Sequence, residues 1–196
     1  KKKSKKFIVM KMNFIDGNDF MDYLISQKNS IQLISNIINS YNHIIRSCQM
    51  LVTKSIMHFD IKGTNILFDN NKQIPILIDF GLSTNMLEIN DNLKKVFYVY
   101  APQYYIWPLE VHYLSFLFNK SNVATIDDLK EMVKIYVKEN KGLSIFSPDF
   151  LQKFEKKCLS QLLKYNEIPL KKRIDKLVNY WKTFDNYSVS IMYLKF

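Results

Sequence analysis

The sequence predicts a mainly α-helical fold with one small β-hairpin. Hydrophobic residues make up 47% of the 196 residues and aromatic residues 14%, which is enough apolar surface for a packed core. Apolar residues recur at helical spacing over much of the chain. Two short β-like runs joined by a polar turn interrupt that pattern. A globular protein is therefore expected, and a disordered or collagen-like chain is excluded.

The first third of the chain predicts a strand, a turn and two helices. The apolar run 7–10 is typical of a buried strand, and Asp16-Gly17-Asn18 is typical of a turn. A short helix is expected over about 19–26. A longer helix is expected from Ser30, its predicted N-cap. Its apolar stripe consists of Ile34, Ile37, Ile38, Tyr41, Ile44, Ile45, Cys48, Leu51 and Val52.

The middle of the chain predicts a hairpin and a loop. The runs 66–68 and 74–78 are β-like, and the polar residues 69–72 between them form the predicted turn. Residues 82–107 show no regular periodicity and predict a loop.

Helical spacing returns beyond Leu114. Thr125, with Asp128 three residues later, predicts the start of a helix that ends at Gly142. A second helix is expected from Ser147-Pro148, because proline suits the first helical position. Further helices are expected around 174–181 and over 187–196.

Charge, cysteine and glycine content exclude several classes of protein. The formal charge is +10, from 28 Lys and Arg against 18 Asp and Glu. Two cysteines are too few for a disulfide framework, and no apolar run approaches the roughly 20 residues that cross a bilayer. The four glycines are at least 18 residues apart, so neither the P-loop nor the G-x-G-x-x-G motif is present. We expect an intracellular, cytoplasmic protein without a membrane partner.

The residues that suggest chemistry lie around the hairpin. His58-Phe59-Asp60-Ile61-Lys62-Gly63-Thr64-Asn65 precedes it, and Asp79-Phe80-Gly81 begins 14 residues after Asn65. Carboxylate and amide oxygens suit Mg²⁺, which binds one or two carboxylates together with substrate phosphates. A metal-free carboxylate could accept a proton from a hydroxyl, and a lysine could neutralise a phosphoryl group. The alternative is that Asp60 and Asp79 are turn carboxylates that flank a hairpin.

These two motifs resemble the H-R-D-x-x-x-x-N loop and the D-F-G triplet of eukaryotic-type protein kinases of the Ser/Thr type. The resemblance implies a protein-kinase-like C-terminal lobe, an incomplete α+β fold, with ATP and Mg²⁺ as cofactors and a protein as substrate. It implies that Asp60 is the catalytic base and that Lys62 contacts the γ-phosphate. It also implies that Asn65 and Asp79 bind the cofactor through its metal ions. His58 and Phe80 would pack as members of a hydrophobic spine.

The resemblance extends towards both ends of the chain. Residues 7–24 resemble the strand, hinge and helix that line the adenine pocket, with Met10 as gatekeeper and the backbone of Lys11, Met12 and Asn13 binding adenine. An ordinary core strand and turn is the alternative there. Pro108-Leu109-Glu110 resembles the A-P-E element, and 104–107 would receive a substrate peptide. Asp185 resembles the aspartate of the central D-x-[WY]-S-x-G helix, which anchors the catalytic loop; a helix N-cap is compatible with that role.

Asp185 comes 75 positions after Glu110, far more than the family has at this place. We therefore divide the chain into residues 1–111 (hinge, catalytic loop and activation segment), 112–183 (helical insertion) and 184–196 (start of the central helix). The insertion is expected to be a packed structural addition, or else a docking site for a partner. Its densest basic run, Lys171-Lys172-Arg173, is expected to be a solvated face.

Several elements of a kinase do not occur in these residues. The chain starts at Lys1 rather than Met, and it contains no glycine-rich phosphate loop. Because positioning of ATP supplies much of phosphoryl-transfer catalysis, the 196 residues alone are expected to have little or no activity. The favoured function of the parent protein is Ser/Thr protein kinase activity. The excess of Lys, Ile and Asn suggests an A/T-rich genome, such as that of a protist or a large DNA virus; a viral protein would act in host cytoplasm.

Three alternatives remain. The chain could be a pseudokinase that keeps the fold for scaffolding, although a scaffold needs none of Asp60, Lys62, Asn65 and Asp79. It could be a small-molecule kinase of the aminoglycoside or choline type, against which the D-F-G triplet and residues 108–110 argue. It could bind nucleic acid, but the positive charge is dispersed and no aromatic-and-basic platform is visible, so no nucleic-acid partner is expected.

Phe59 stands where the family has an arginine that pairs with a phosphorylated activation-loop residue. That ion pair cannot form here, so we predict that phosphorylation of Ser83 or Thr84 does not switch activity by this route. Ser83→Ala and Thr84→Ala should each retain activity in the full protein, measured as phosphate transfer from labelled ATP. Abolished activity in either variant would contradict the prediction.

Overall fold

The computed structural model describes residues 14–26, 29–89 and 92–194. Its strands are β1 (Gly17–Asp19), β2 (Ile56–Met57), β3 (Ile66–Asp69), β4 (Ile74–Leu77) and β5 (Thr84–Asn85). Its helices are α1 (Phe20–Ile25), α2 (Ser30–Thr53), α3 (Leu93–Val96), α4 (Leu109–Asn119), α5 (Ile126–Lys138), α6 (Pro148–Asn166), α7 (Leu170–Val178) and α8 (Trp181–Tyr193). The predicted mainly helical fold with a small hairpin is confirmed. Among the described residues, no helix has the length and apolarity to span a membrane.

Helix α2 confirms the predicted long helix, but its N-cap is Asn29 rather than Ser30. The Asn29 side-chain oxygen accepts hydrogen bonds from the backbone N–H groups of Ile31, at 2.9 Å, and Gln32, at 3.3 Å. These are two of the N–H groups that a helix start leaves unpaired, so the cap moves one residue upstream. The apolar stripe is buried in its C-terminal half, where Ile44 and Cys48 are each 1% exposed.

The predicted hairpin is present and belongs to a three-stranded antiparallel sheet of order β1-β3-β4. The expected turn at 16–18 is wrong, because Gly17 and Asn18 lie in β1 and Gly17 pairs with Asp69 of β3. A Cβ on Gly17 would lie 2.7 Å from the Phe68 carbonyl oxygen, so glycine permits this close pairing. The predicted loop 82–107 also contains regular structure, namely β5, which pairs with β2, and the short helix α3.

Helices α5 and α6 start as predicted. Thr125 and Asp128 form a reciprocal capping box on α5, and the Ser147 hydroxyl caps α6 one residue before Pro148. However, α5 ends at Lys138 rather than near Gly142. Gly142 lies in a 3₁₀ turn, where a Cβ would come within 2.6 Å of the Ile191 carbonyl oxygen. Glycine is therefore required there for close approach to α8.

The helix expected around 174–181 is in fact two helices, α7 and the start of α8, separated by a turn at 179–180. The last helix consequently begins at Trp181, six positions before the predicted start. Asp185 lies inside this helix, and Tyr180 is the N-cap residue. The N-cap alternative for Asp185 is therefore wrong.

Helix α8 contributes to all three apolar clusters of the described residues. Phe184 joins a cluster that contains Met57, Phe59 and the buried faces of α4 to α7. Val189 and Met192 join a second cluster with α1, α2 and the hairpin. Ile191 joins a third, small cluster with Ile106 and Leu143. The helices of 112–183 therefore share one core with the residues around the 58–65 loop. Both boundaries of the segment 112–183 fall inside helices, because α4 spans position 112 and α8 spans position 183.

The basic run 171–173 is not a solvated face throughout, because Arg173 is buried at 6% exposure. Its guanidinium donates hydrogen bonds to the backbone carbonyls of Asn166 and Ile168 and to the Tyr113 hydroxyl. These carbonyls stand at the C-terminal end of α6, where a positive charge is favourable. The prediction that the run 171–173 is a solvated face is therefore wrong for Arg173.

A buried carboxylate joins α8 to the start of the 58–65 loop. Asp185 Oδ2 accepts a hydrogen bond from the His58 backbone N–H at 2.7 Å, and Oδ1 accepts one from the Phe59 N–H at 2.9 Å. Burial raises the pKa of Asp185, while these two hydrogen bonds act in the opposite direction. Phe59 has a φ of 68°, which is costly for a non-glycine residue, so the carboxylate stabilises a strained backbone.

The buried ring of His112 predicts a pH dependence of folding. It is 0% exposed, and burial lowers its pKa to about 4, although the backbone of Tyr104 and Trp107 opposes the shift. In the unfolded chain His112 has its ordinary pKa of 6.5, whereas in the native state the pKa is about 4. The neutral ring therefore causes no loss in the free energy of unfolding above pH 6.5, and that free energy decreases as the pH falls below 6.5. At about 1.4 kcal/mol per pKa unit, the loss between pH 6.5 and 5 is about 2 kcal/mol. His112→Leu should remove this part of the difference in urea unfolding at pH 7 and 5; an unchanged difference would contradict it.

Asp185→Asn should destabilise the fold by about 2 kcal/mol, because an amide presents one oxygen and leaves a buried N–H of the loop unpaired. The free energy of unfolding in urea measures this effect. Asp175→Asn on α7 removes the same charge at an exposed position and should be nearly neutral. Equal effects of the two substitutions would show that the buried hydrogen bonds of Asp185 are unimportant.

Candidate active site

Asp60, Lys62 and Asn65 come together in the 58–65 loop, between β2 and β3. Asp60 is 7% exposed, and its Oδ2 accepts hydrogen bonds from Lys62 Nζ and Asn65 Nδ2, each at 2.8 Å. Asn65 Nδ2 also donates to the Asp60 backbone carbonyl at 2.9 Å. The Lys62 side chain is 36% exposed, so its ammonium group lies at the edge of the site. Three of the predicted residues therefore form one hydrogen-bonded group.

Asp79 lies next to this group at the open end of the hairpin. Ile66 pairs with Leu77, and the Ile78 N–H donates to the Asn65 carbonyl at 3.0 Å, so Asn65, just before β3, and Asp79, two residues after β4, lie at the same end of the hairpin. Asp79 is exposed, has a φ of 59°, and accepts a hydrogen bond from the Gly81 N–H at 3.2 Å. In the described part of the chain, no hydrogen bond joins Asp79 directly to Asp60, Lys62 or Asn65.

His58 connects the 58–65 loop to the residues around Asp79. It is 0% exposed, its Nε2 lies 3.1 Å from the Ile78 carbonyl oxygen, and its ring centroid lies 4.7 Å from that of Phe80. The Ser83 hydroxyl donates to the His58 backbone carbonyl at 3.3 Å. The predicted packing of His58 with Phe80 is therefore present, and it ties the 58–65 loop to the residues after Asp79.

Asn65 and Asp79 present oxygen atoms of the kind that Mg²⁺ binds. Asn65 directs its amide nitrogen at Asp60, which leaves the amide oxygen as the atom able to coordinate a metal. Asp79 adds a carboxylate. Within residues 14–26, 29–89 and 92–194, no three His, Cys, Asp or Glu side chains form a group that could hold a metal. The Asn65 amide oxygen and the Asp79 carboxylate would suit Mg²⁺, which typically binds one or two carboxylates together with waters and substrate phosphates.

The predicted adenine contacts cannot be placed. The strand 7–10 and the residues Met10, Lys11, Met12 and Asn13 lie outside the described residues. Their assignment to adenine stays a prediction.

Tyr104 takes part in the site in a way that the sequence did not predict. Its hydroxyl donates a hydrogen bond of 2.5 Å to Asp60 Oδ1. The sequence placed Tyr104 only within a surface that receives a peptide. The aromatic run 104–107 was the only feature of the sequence that drew attention to Tyr104. No spacing rule relates a tyrosine to a carboxylate 44 positions away, so the contact with Asp60 could not be predicted.

Phe59 is part of an aromatic stack, in the place where an arginine would make a charge contact. Its ring stacks on Trp107 with centroids 4.8 Å apart, and meets the edge of Phe97 at 5.7 Å. Trp107 Nε1 donates to the Phe59 carbonyl at 2.7 Å. The segment 97–107 is therefore held against the 58–65 loop by apolar packing.

Residues 108–110 form the start of α4. Pro108 precedes the helix, and Leu109 is its first residue. Burial raises the pKa of Glu110, which lies in the first turn, where a negative charge is favourable. The element that resembles A-P-E thus joins the segment 97–107 directly to a helix of the main core.

Comparison with known proteins agrees with this geometry. The model of the protein kinase domain family matches residues 2–161. Dual specificity protein kinase zakA of Dictyostelium discoideum is 33% identical over 78 residues, which are 40% of this chain and 10% of that protein. Serine/threonine-protein kinase Nek8 of Danio rerio is 31% identical over 78 residues, 40% of this chain and 11% of that protein.

Death-associated protein kinase 2 of Homo sapiens is 34% identical over 95 residues, 44% of this chain and 23% of that protein. The chain thus spans less than a quarter of the length of these relatives. The family match covers the 58–65 loop, the hairpin and Asp79, which carry the site described above. With a match over most of its length, the chain belongs to the protein kinase domain family.

Proposed function

We propose that this protein transfers the γ-phosphoryl group of ATP to a serine or threonine hydroxyl of a protein substrate. The observation that carries the proposal is the buried carboxylate of Asp60, whose Oδ2 is held by Lys62 and Asn65. A carboxylate in this position can orient an acceptor hydroxyl and accept its proton. Lys62 carries three N–H donors, so it can bind a phosphate oxygen while it keeps its contact with Asp60.

Asn65 and Asp79 would hold the nucleotide through Mg²⁺. The two residues flank the same end of the hairpin, and the hydrogen bond from the Ile78 N–H to the Asn65 carbonyl fixes the spacing of the two chain segments there. Bound Mg²⁺ would neutralise charge on the phosphates during transfer. The adenine would bind to the backbone of 11–13 beside Met10, as the sequence suggests.

A serine or threonine acceptor is favoured over tyrosine. Lys62 stands two residues after Asp60, as in Ser/Thr kinases, and the similar protein Nek8 is named a serine/threonine-protein kinase. The zakA relative is named a dual specificity kinase, so phosphoamino-acid analysis of the product is the direct test.

The segment 112–183 has two proposed roles. Its helices share a core with Met57 and Phe59, which supports a packed structural addition. A docking site for a partner is the alternative, and it would use the outer faces of these helices.

Asp60→Asn and Asp79→Asn should each lower phosphate transfer at least about a hundredfold, because one removes the base and the other a metal ligand. The measurement is transfer from γ-labelled ATP to a library of Ser- and Thr-containing peptides, with the full protein and Mg²⁺. Asp149→Asn, at an exposed position of α6, is the matched control and should be fully active. An inactive wild-type protein would favour the scaffolding alternative, and wild-type activity in Asp60→Asn would refute the assignment of the base.

A further inference from the structure

The carboxylate of Asp60 has nearly all its acceptor capacity in use. An ionised carboxylate offers about four lone-pair sites, two on each oxygen. Lys62 and Asn65 occupy both sites on Oδ2, and Tyr104 occupies one on Oδ1. One site on Oδ1 therefore remains for an acceptor hydroxyl, and its direction depends on how the carboxylate is rotated.

Lys62 and Asn65 cannot set that rotation alone, because both bind the same oxygen. A carboxylate held through one oxygen can still turn about that point. The contact from Tyr104 to Oδ1 is the third point that fixes the plane. Among the described residues it is the only protein donor that reaches Oδ1 by a hydrogen bond.

Tyr104 is itself held firmly. Its ring meets the edge of Trp107 at 4.9 Å, and it packs against two of the three apolar clusters. Its backbone N–H donates to the Ala101 carbonyl at 2.8 Å, and its carbonyl accepts from the Trp107 N–H at 3.1 Å. A side chain fixed in this way is suited to positioning another group and poorly suited to swinging aside.

The contacts also form a closed ring. Tyr104 binds Asp60 and touches Trp107, and Trp107 stacks on Phe59, the residue next to Asp60 in the chain. The Trp107 indole N–H donates to the Phe59 carbonyl at 2.7 Å. The segment 101–107 and the 58–65 loop therefore hold each other at two adjacent residues.

The phenol also stays protonated. Burial and the adjacent Asp60 carboxylate raise the pKa of Tyr104 well above its usual value. The Tyr104 hydroxyl therefore keeps its proton, and can donate to Asp60, at neutral pH.

We propose that Tyr104 is a positioning residue for Asp60, and that its hydroxyl orients the carboxylate so that the remaining acceptor site on Oδ1 faces the substrate hydroxyl. The proposal rests on the proposed function, because it gives Asp60 the role of base. When the segment 101–107 is ordered, aromatic packing on Trp107 holds Tyr104 in place, and Tyr104 in turn fixes the orientation of the Asp60 carboxylate.

Tyr104→Phe tests the proposal, because it keeps the ring on Trp107 and removes only the hydroxyl. In the full protein, kcat for the peptide library should fall about tenfold, while KM for ATP should change less than about twofold. Tyr98→Phe is the matched control: Tyr98 lies in the same part of the chain, is 53% exposed, and its substitution should leave both constants unchanged. An unchanged or increased kcat in Tyr104→Phe would overturn the proposal, the increase by showing that the phenol blocks the acceptor site.

A crystal structure of Tyr104→Phe gives a test that needs no activity. The Asp60 carboxylate should be rotated, or occupy more than one orientation, relative to the wild-type crystal structure. A single, unchanged orientation would overturn the proposal even if the wild-type protein proved inactive. Failure of the proposed function, seen as no transfer by the wild-type protein, is thereby distinguished from failure of the positioning role.

Discussion

The hydrogen bonds from Asp185 to the backbone of His58 and Phe59 are the constraint on which the rest of the site depends. They stabilise a residue with positive φ, and that conformation turns the chain so that His58 points to the hairpin while Asp60 points into the site. Because α8 also packs into all three apolar clusters, this one carboxylate connects the loop to the whole core.

Aromatic packing joins the 58–65 loop to the segment 97–107 without an ion pair at position 59. An arginine at position 59 would need a negative partner, whereas Phe59 needs only aromatic neighbours, which Trp107 and Phe97 provide. Such packing requires no modification to form and is insensitive to salt. The order of this segment is thus a property of the folded chain.

The features predicted correctly from the sequence are local ones. Thr125 with Asp128, and Ser147 with Pro148, mark helix starts because a cap and its N–H partners lie within three residues. The features that were missed depend on contacts distant in sequence. Gly17 was interpreted as a turn residue, but it pairs with β3, and Arg173 was interpreted as a solvated charge, but its guanidinium donates to the Tyr113 hydroxyl 60 positions away. In the site, motif spacing brought Asp60 and Asn65 together, but no local pattern could indicate the contact of Tyr104.

Asp185 and Tyr104 place a further demand on the helices between them. Both contact the short stretch 58–60, one through its backbone and one through the Asp60 side chain, yet 81 positions separate them in the sequence. The helices between Tyr104 and Asp185 must therefore place α8 accurately relative to the 58–65 loop. Because α4 to α7 pack into the same cluster as Met57 and Phe59, they fix where α8 returns. Whatever else the segment 112–183 does, its packing helps to decide whether the Asp60 carboxylate and its partners are in place.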